Sequence, residues 1–357
     1  MRTAPVERKH FSTHHASWWG IQIEWAELAE RYGMELKLTK KESGPIRLYS
    51  VDFPEMKDFL KVYIFYSEPA LKVASHPHIV LDEFHERMRR TAEEIAPFIA
   101  SNVRGDPVLV HVLRAGPGYH LHDALSARLD LREVFIRTQY VLNKYMDHRA
   151  AREIKVTYQD FSQLRRGDLT VIKPDTEATG GTGEKVLERV KIESELRDCR
   201  LRKLILYGFI SREGLLRIAR KASSMGFEEV MAIALIDIPH LSSNMYDMPA
   251  FGPDLSLWRE RREIKMMGSI TDVEIFKKLL MEYVPGVDQP GDFSERQKLL
   301  YDGYSWKRGE VEFHLRKSEE AIMSAIETGT LTEKQKRIAE DEIKAIWSTL
   351  ERIRRRV

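Results

Sequence analysis

The stretch from Leu169 to Lys191 narrows the folds open to this chain more than any other. Leu169-Thr-Val-Ile172 has the composition of a buried strand, and it runs into acids, small hydroxyl residues and three glycines. Val186, Leu187 and Val190 then recur at helical spacing, so the order is strand, glycine turn, helix N-terminus. The free N–H groups of a first helical turn attract an anion, and Gly180, Gly181 and Gly183 let a phosphate approach the backbone. Thr179 and Thr182 add hydroxyl donors. Asp175 and Glu177 at the lip of the turn suit a sugar phosphate better than a bare phosphate, because carboxylates accept hydrogen bonds from ribose hydroxyls. Two commoner glycine loops fail on spacing. A P-loop ends in Gly-Lys-Ser/Thr, whereas Lys185 stands between Glu184 and Val186. A dinucleotide fingerprint would need a small residue at Val186 or at Leu121.

Ala178-Thr179-Gly180-Gly181-Thr182 resembles, letter for letter, the end of the ribose-phosphate loop of the type I phosphoribosyltransferases. That loop usually begins with two acids. Within the superfamily the chain looks most like the uracil phosphoribosyltransferases, whose loop carries Asp-Pro; here the pair is reversed, as Pro174-Asp175. Asp175 therefore inherits the role of holding ribose hydroxyls, and Glu177 stands where the family usually has an apolar residue.

Two further stretches carry the resemblance. Pro107 to Leu113 is a continuous apolar run ending in Arg114-Ala115-Gly116, similar to the family's pyrophosphate-binding turn. A guanidinium at a strand's carboxyl end grips phosphate oxygens in pairs. The loop Asn244 to Asp254 looks like the family's base-reading hood, with Ala250 in place of a glycine and Pro253 inserted before Asp254. The resemblance implies a site for 5-phosphoribosyl pyrophosphate made by Arg114, Ala115, Gly116, Arg137, Asp175, Glu177, Ala178, Thr179, Gly180, Gly181, Thr182 and Asp254. Arg114 and Asp175 would be catalytic. Tyr246, Met248, Pro249, Ala250, Phe251 and Gly252 would face the base, and Mg²⁺ would be carried by the pyrophosphate. The implied reaction transfers ribose 5-phosphate to a nucleobase, uracil by default, with release of pyrophosphate. The rival reading is a non-catalytic relative that senses a nucleotide or phosphoribosyl pyrophosphate, motivated by the lost first acid and the long C-terminal region.

Strands over 107–113, 133–138, 169–172, 204–210 and 229–237, each followed by a helix or long loop, predict an α/β fold: a parallel sheet with helices on both faces. All three candidate loops follow strand ends, where such sheets bind ligands. Residues 71–262 are read as this domain and 1–70 as an α+β extension, with a helix over Trp18–Tyr32 and strands over Met34–Leu38, Ile46–Val51 and Phe59–Tyr66. Residues 263–357 are read as helical, with helices from Asp272, Gly309 and Thr332. Between Asn143 and Ile154, Lys144, Arg149 and Arg152 fall where the family carries a mobile arm.

Charge excludes little else. The 57 basic and 55 acidic residues nearly cancel, which gives no argument for a nucleic-acid partner or a membrane surface. No apolar run is long enough to span a bilayer. Cys199 is the only cysteine, which precludes an intrachain disulfide and suits a cytoplasmic setting. A homodimer is expected, with the C-terminal helices as contact surface or cover.

Overall fold

A computed structural model of the chain describes residues 15–18, 21–36, 40–41, 46–141 and 153–355. Among these, nine strands form one sheet: β1 (Lys40–Lys41), β2 (Arg47–Val51), β3 (Leu60–Tyr66), β4 (Asp106–Leu113), β5 (Arg132–Tyr140), β6 (Ile154–Asp160), β7 (Asp168–Pro174), β8 (Arg200–Gly208) and β9 (Glu229–Leu235). Their spatial order is β1-β2-β3-β9-β8-β7-β4-β5-β6. The six strands from β3 to β5 are parallel, and antiparallel strands close both edges. The fold is thus α/β with a largely parallel sheet flanked by helices. The inner strands are unbroken apolar runs, such as Leu204-Ile205-Leu206 and Ile233-Ala234-Leu235, because both of their faces are covered.

The chain leaves β4 and β7 in opposite directions. From β4 it steps outward to β5; from β7 it steps the other way to β8 and then β9. Right-handed crossovers of opposite direction place their helices on opposite faces. Accordingly Leu81–Ser101 packs with Glu68–Ser75 and Leu121–Ser126, whereas Gly181–Glu195 packs with Arg212–Ser224. The carboxyl ends of β4 and β7 flank the point where the two halves part, which is where open α/β sheets hold ligands.

Several expectations change at the flanks. Leu60–Tyr66 pairs in parallel with β9 and is an inner strand of the sheet, so the main sheet recruits a strand from the region read as an extension. The expected helix over Trp18–Tyr32 is a hairpin of His15–Trp18 with Ile21–Glu24, and only Trp25–Arg31 is helical. Ile21 and Ile23 alternate with polar residues, a strand period that the helical reading passed over. Lys144, Arg149 and Arg152 lie outside the described residues. The C-terminal helices are Val273–Glu282, Val311–Glu327 and Glu333–Arg354, and Thr332 caps the last of them in a capping box with Gln335. A short hairpin, Leu299–Tyr301 with Trp306–Arg308, was not anticipated.

Two polar devices fix the C-terminal region to the sheet. Arg296 is wholly buried, and its guanidinium donates to the carbonyls of Val73, His76, Ile79 and Pro290 at 2.9–3.1 Å. Burial lowers its pKa only to about 10, so it remains charged. Beside it the two oxygens of buried Glu342 meet His76 Nδ1 at 2.9 Å and His78 Nδ1 at 2.7 Å. Burial alone would lower the His76 pKa, but Glu282 and Glu342 together raise it. Burial likewise opposes the charge on Glu342, yet the two histidines bring it down to about 2. A raised histidine contributes stability that is lost as pH climbs through its folded value, and a depressed carboxyl contributes stability lost as pH falls through its own. The clamp is therefore strongest between about pH 4.5 and about pH 6.5, the ordinary carboxyl and histidine values, and fades as pH climbs through the raised His76 value. Glu342→Gln is expected to cost about 1–3 kcal/mol, and thermal melts should show the deficit greatest near pH 6 and smaller at pH 9 and pH 3.

Candidate functional site

A cavity of about 260 Å³ opens at the carboxyl ends of β4 and β7. Arg114 and Ala115 line one side and Asp175 to Thr182 another, so the two strand-end loops meet at one cavity. Thr138 and Tyr140 of β5, Tyr246 and Met248 of the expected hood, and the segment Asp288 to Ser294 complete the wall. A broader hollow of about 390 Å³ along β6, lined by Val156–Gln159, Arg189 and Tyr304, shares no residue with it.

The glycine turn forms as its sequence requires. Gly180 has φ +75°, a left-handed conformation that an L side chain resists, and a Cβ there would meet the Gly214 carbonyl oxygen at 3.0 Å. The helix Gly181–Glu195 begins at once, so the N-terminal amides of its first turn lie at the cavity. The loop is held from below by parallel-type bonds: Asp175 N–H to Tyr207 O at 3.0 Å and Glu177 N–H to Phe209 O at 2.8 Å. The Ser211 hydroxyl donates to the Ala178 carbonyl at 2.5 Å, and Tyr119 bonds Thr176 Oγ1 at 2.6 Å. Across the gap, Arg114 is partly exposed and makes no ion pair or side-chain hydrogen bond with any described residue. A guanidinium left without a partner on a cavity wall is suited to a phosphate.

The two loop acids are already engaged. Lys173 is fully buried, and its ammonium bonds Asp175 Oδ2 at 2.8 Å and also Glu177 Oε1. Asp175 Oδ1 accepts the Thr176 N–H at 2.9 Å. Burial would lower the Lys173 pKa, but the paired acids raise it; burial raises Glu177 to about 7, with Lys173 opposing and Asp175 adding to the rise. Gly183 leaves room for this carboxylate, since a Cβ there would sit 2.9 Å from Glu177 Oε2.

The other residues singled out from sequence fall elsewhere. Gly116 lies behind the turn, where a Cβ would sit 3.2 Å from the Pro174 carbonyl oxygen. Arg137 pairs with Asp302 of the C-terminal hairpin region at 3.0 Å, and it does not line the cavity. Asp254 is buried as the N-cap of Leu255–Arg261 and accepts the N–H groups of Ser243 at 2.7 Å and Leu257 at 3.0 Å. Pro249, Ala250, Phe251 and Gly252 are buried away from the cavity, and the Phe251 ring packs on Tyr32, Phe276 and Tyr283. The part of the wall that sequence reading missed is Asp288 to Ser294. Its signal was present: Pro285-Gly286 and Pro290-Gly291 bracket Asp288, and Asp292 follows, in a loop too long for a simple connection.

No family model matches the chain, and no curated protein matches it. Similar solved structures include a protein of Aquifex aeolicus, 20% identical over 51% of this chain and 91% of that one, at a TM-score of 0.35. They also include the adenine phosphoribosyl transferase of Trypanosoma brucei (13% identity, 49% and 82% coverage, TM-score 0.33). The adenine phosphoribosyltransferase of Leishmania donovani is comparable (15% identity, 51% and 85% coverage, TM-score 0.32). At these values the likenesses add no argument about activity, and the reading rests on the site itself.

Lys173→Met would leave two buried carboxylates without a cation. The expected loss is about 3–5 kcal/mol at pH 8. Because protonation removes the buried charge, the deficit shrinks as pH falls. Thermal or urea unfolding of the variant from pH 8 down to pH 4 checks both the size and the sign.

Proposed function

We propose that the cavity binds 5-phosphoribosyl pyrophosphate and transfers its ribose 5-phosphate to a nucleobase. The supporting observation is the meeting, at one cavity, of an arginine without an ion pair among the described residues and a glycine-hydroxyl turn at a helix N-terminus. Each suits an anion, and a sugar carrying phosphate at both ends would engage both. The amides and hydroxyls of Thr179 to Thr182 would fix the 5-phosphate. Arg114 would offset charge on the departing pyrophosphate, where stabilisation of a developing anion lowers the barrier most. A base nitrogen attacks the anomeric carbon as its bond to the pyrophosphate oxygen breaks, and the sugar carries transient positive charge. Asp175 and Glu177 would face that sugar, their charge shared with Lys173.

Mg²⁺, which accompanies pyrophosphate in solution, finds no free acid on this loop, since both carboxylates bond the Lys173 ammonium. The fit is to an ion carried on the diphosphate, not to one held by these residues.

That same buried ammonium favours a second reading, in which the site binds phosphoribosyl pyrophosphate or a nucleotide as a signal without turnover. Calorimetric titration with phosphoribosyl pyrophosphate, followed by an assay of pyrophosphate release across nucleobases with Mg²⁺, separates the two. Arg114→Ala is expected to weaken phosphoribosyl pyrophosphate binding about tenfold or more, the worth of a hydrogen-bonded charge pair. Release with at least one base, lost in Asp175→Asn, supports transfer. Tight binding with no release supports the sensor, and no binding removes both.

A further inference from the structure

The main-chain groups of the 244–252 loop, which by resemblance would read a pyrimidine, are occupied by the chain's own residues 283–289. Met248 N–H donates to Asp288 Oδ1 at 2.7 Å and Ala250 N–H to the Tyr283 hydroxyl at 3.2 Å. The Met248 carbonyl accepts the Gln289 amide at 3.2 Å, and the Phe251 carbonyl accepts Gly286 N–H at 2.7 Å. These two amides and two carbonyls are therefore not free to bind a base edge. The cavity is lined instead by the arc Asp288–Ser294, all but Gln289.

Donors on and beside that arc are directed at Asp292. The Tyr246 hydroxyl donates to Asp292 Oδ2 at 3.1 Å, and the Ser294 N–H and hydroxyl donate to Asp292 Oδ1 at 3.1 and 2.7 Å. Asp288 uses one oxygen for Met248, and the other takes no hydrogen bond from any described residue. Burial, with the nearby Asp247 charge, pushes the Asp288 carboxyl up to about 7, a cost that a ligand N–H would relieve. Uracil's N3–H lies between two carbonyl oxygens and its N1–H beside one, so a ring N–H given to Asp288 brings a carbonyl lone pair toward the carboxylate. An exocyclic amino group brings two donors, and in cytosine and guanine one of them is flanked by a C–H or N–H in place of a lone pair.

We infer that the arc 288–294 is the acceptor-selecting wall and that Asp288 favours a base bearing an exocyclic amino group over an all-carbonyl base. The inference rests on the phosphoribosyl pyrophosphate reading above and names its acceptor class. The test titrates cytosine, adenine, guanine and uracil into the protein saturated with phosphoribosyl pyrophosphate, by calorimetry, with pyrophosphate release followed in parallel. At least one amino-bearing base should bind tenfold or more tighter than uracil. Asp288→Asn keeps an oxygen for Met248 N–H, so the arc stays in place; it should reduce that preference at least fivefold and leave phosphoribosyl pyrophosphate affinity within about twofold. Uracil leading the panel, no base binding, or an unchanged preference in Asp288→Asn overturns the inference while the cradle's ligand stands. Failure of phosphoribosyl pyrophosphate itself to bind overturns the reading beneath it.

Discussion

Two neighbouring parallel strands, β4 and β7, send their chains away in opposite directions, and nothing in the sheet can fill the gap their ends leave. Everything at the site follows from this. A loop leaving β4 must turn toward one face and a loop leaving β7 toward the other, so each exposes backbone amides over the same cleft. Arg114 and Thr179–Thr182 stand opposite each other for a topological reason before any chemical one. The glycines then allow what the topology asks for: Gly180 takes a left-handed turn and Gly183 gives Glu177 its space.

Lys173 is the chemical counterpart of that constraint. As the second-last residue of β7 it reaches beneath the loop and neutralises the acids that sequence patterning assigns to sugar hydroxyls. A buried ion pair of this kind seldom adds net stability over an apolar replacement, but removing one partner from it is costly. Its effect at the site is to lower the cradle's negative charge, which suits an approaching phosphate, and to limit what the two carboxylates can hold.

Much of this was legible in the residues alone. The inner strands read as continuous apolar runs, and the Leu169–Lys191 pattern fixed strand, turn and helix in order. Ser211 and Thr332 announced their helices, and both cap them through their hydroxyls. Long-range pairing was less legible. Nothing local in Leu60–Tyr66 says that it pairs with a strand some 170 residues later, and nothing in Arg137 says that it will meet Asp302 and not the cavity. The 244–254 loop resembles a base-reading hood in its letters, yet its backbone is bonded to Tyr283–Gln289, a stretch outside the resembling region. Patterns report what a segment prefers by itself; they do not report which distant segment claims its hydrogen bonds first.

Arg296 gives the arc at the cavity a footing that does not depend on the arc's own side chains. Five N–H donors meet four carbonyls drawn from the Val73–Ile79 turn and from Pro290, all behind the wall. The arc is thus held by main-chain carbonyls as well as by the Asp288 bond to Met248 N–H. A wall anchored through main-chain carbonyls tolerates changes of side chain better than one anchored through side chains alone, since any residue that keeps the backbone conformation keeps the carbonyl in place.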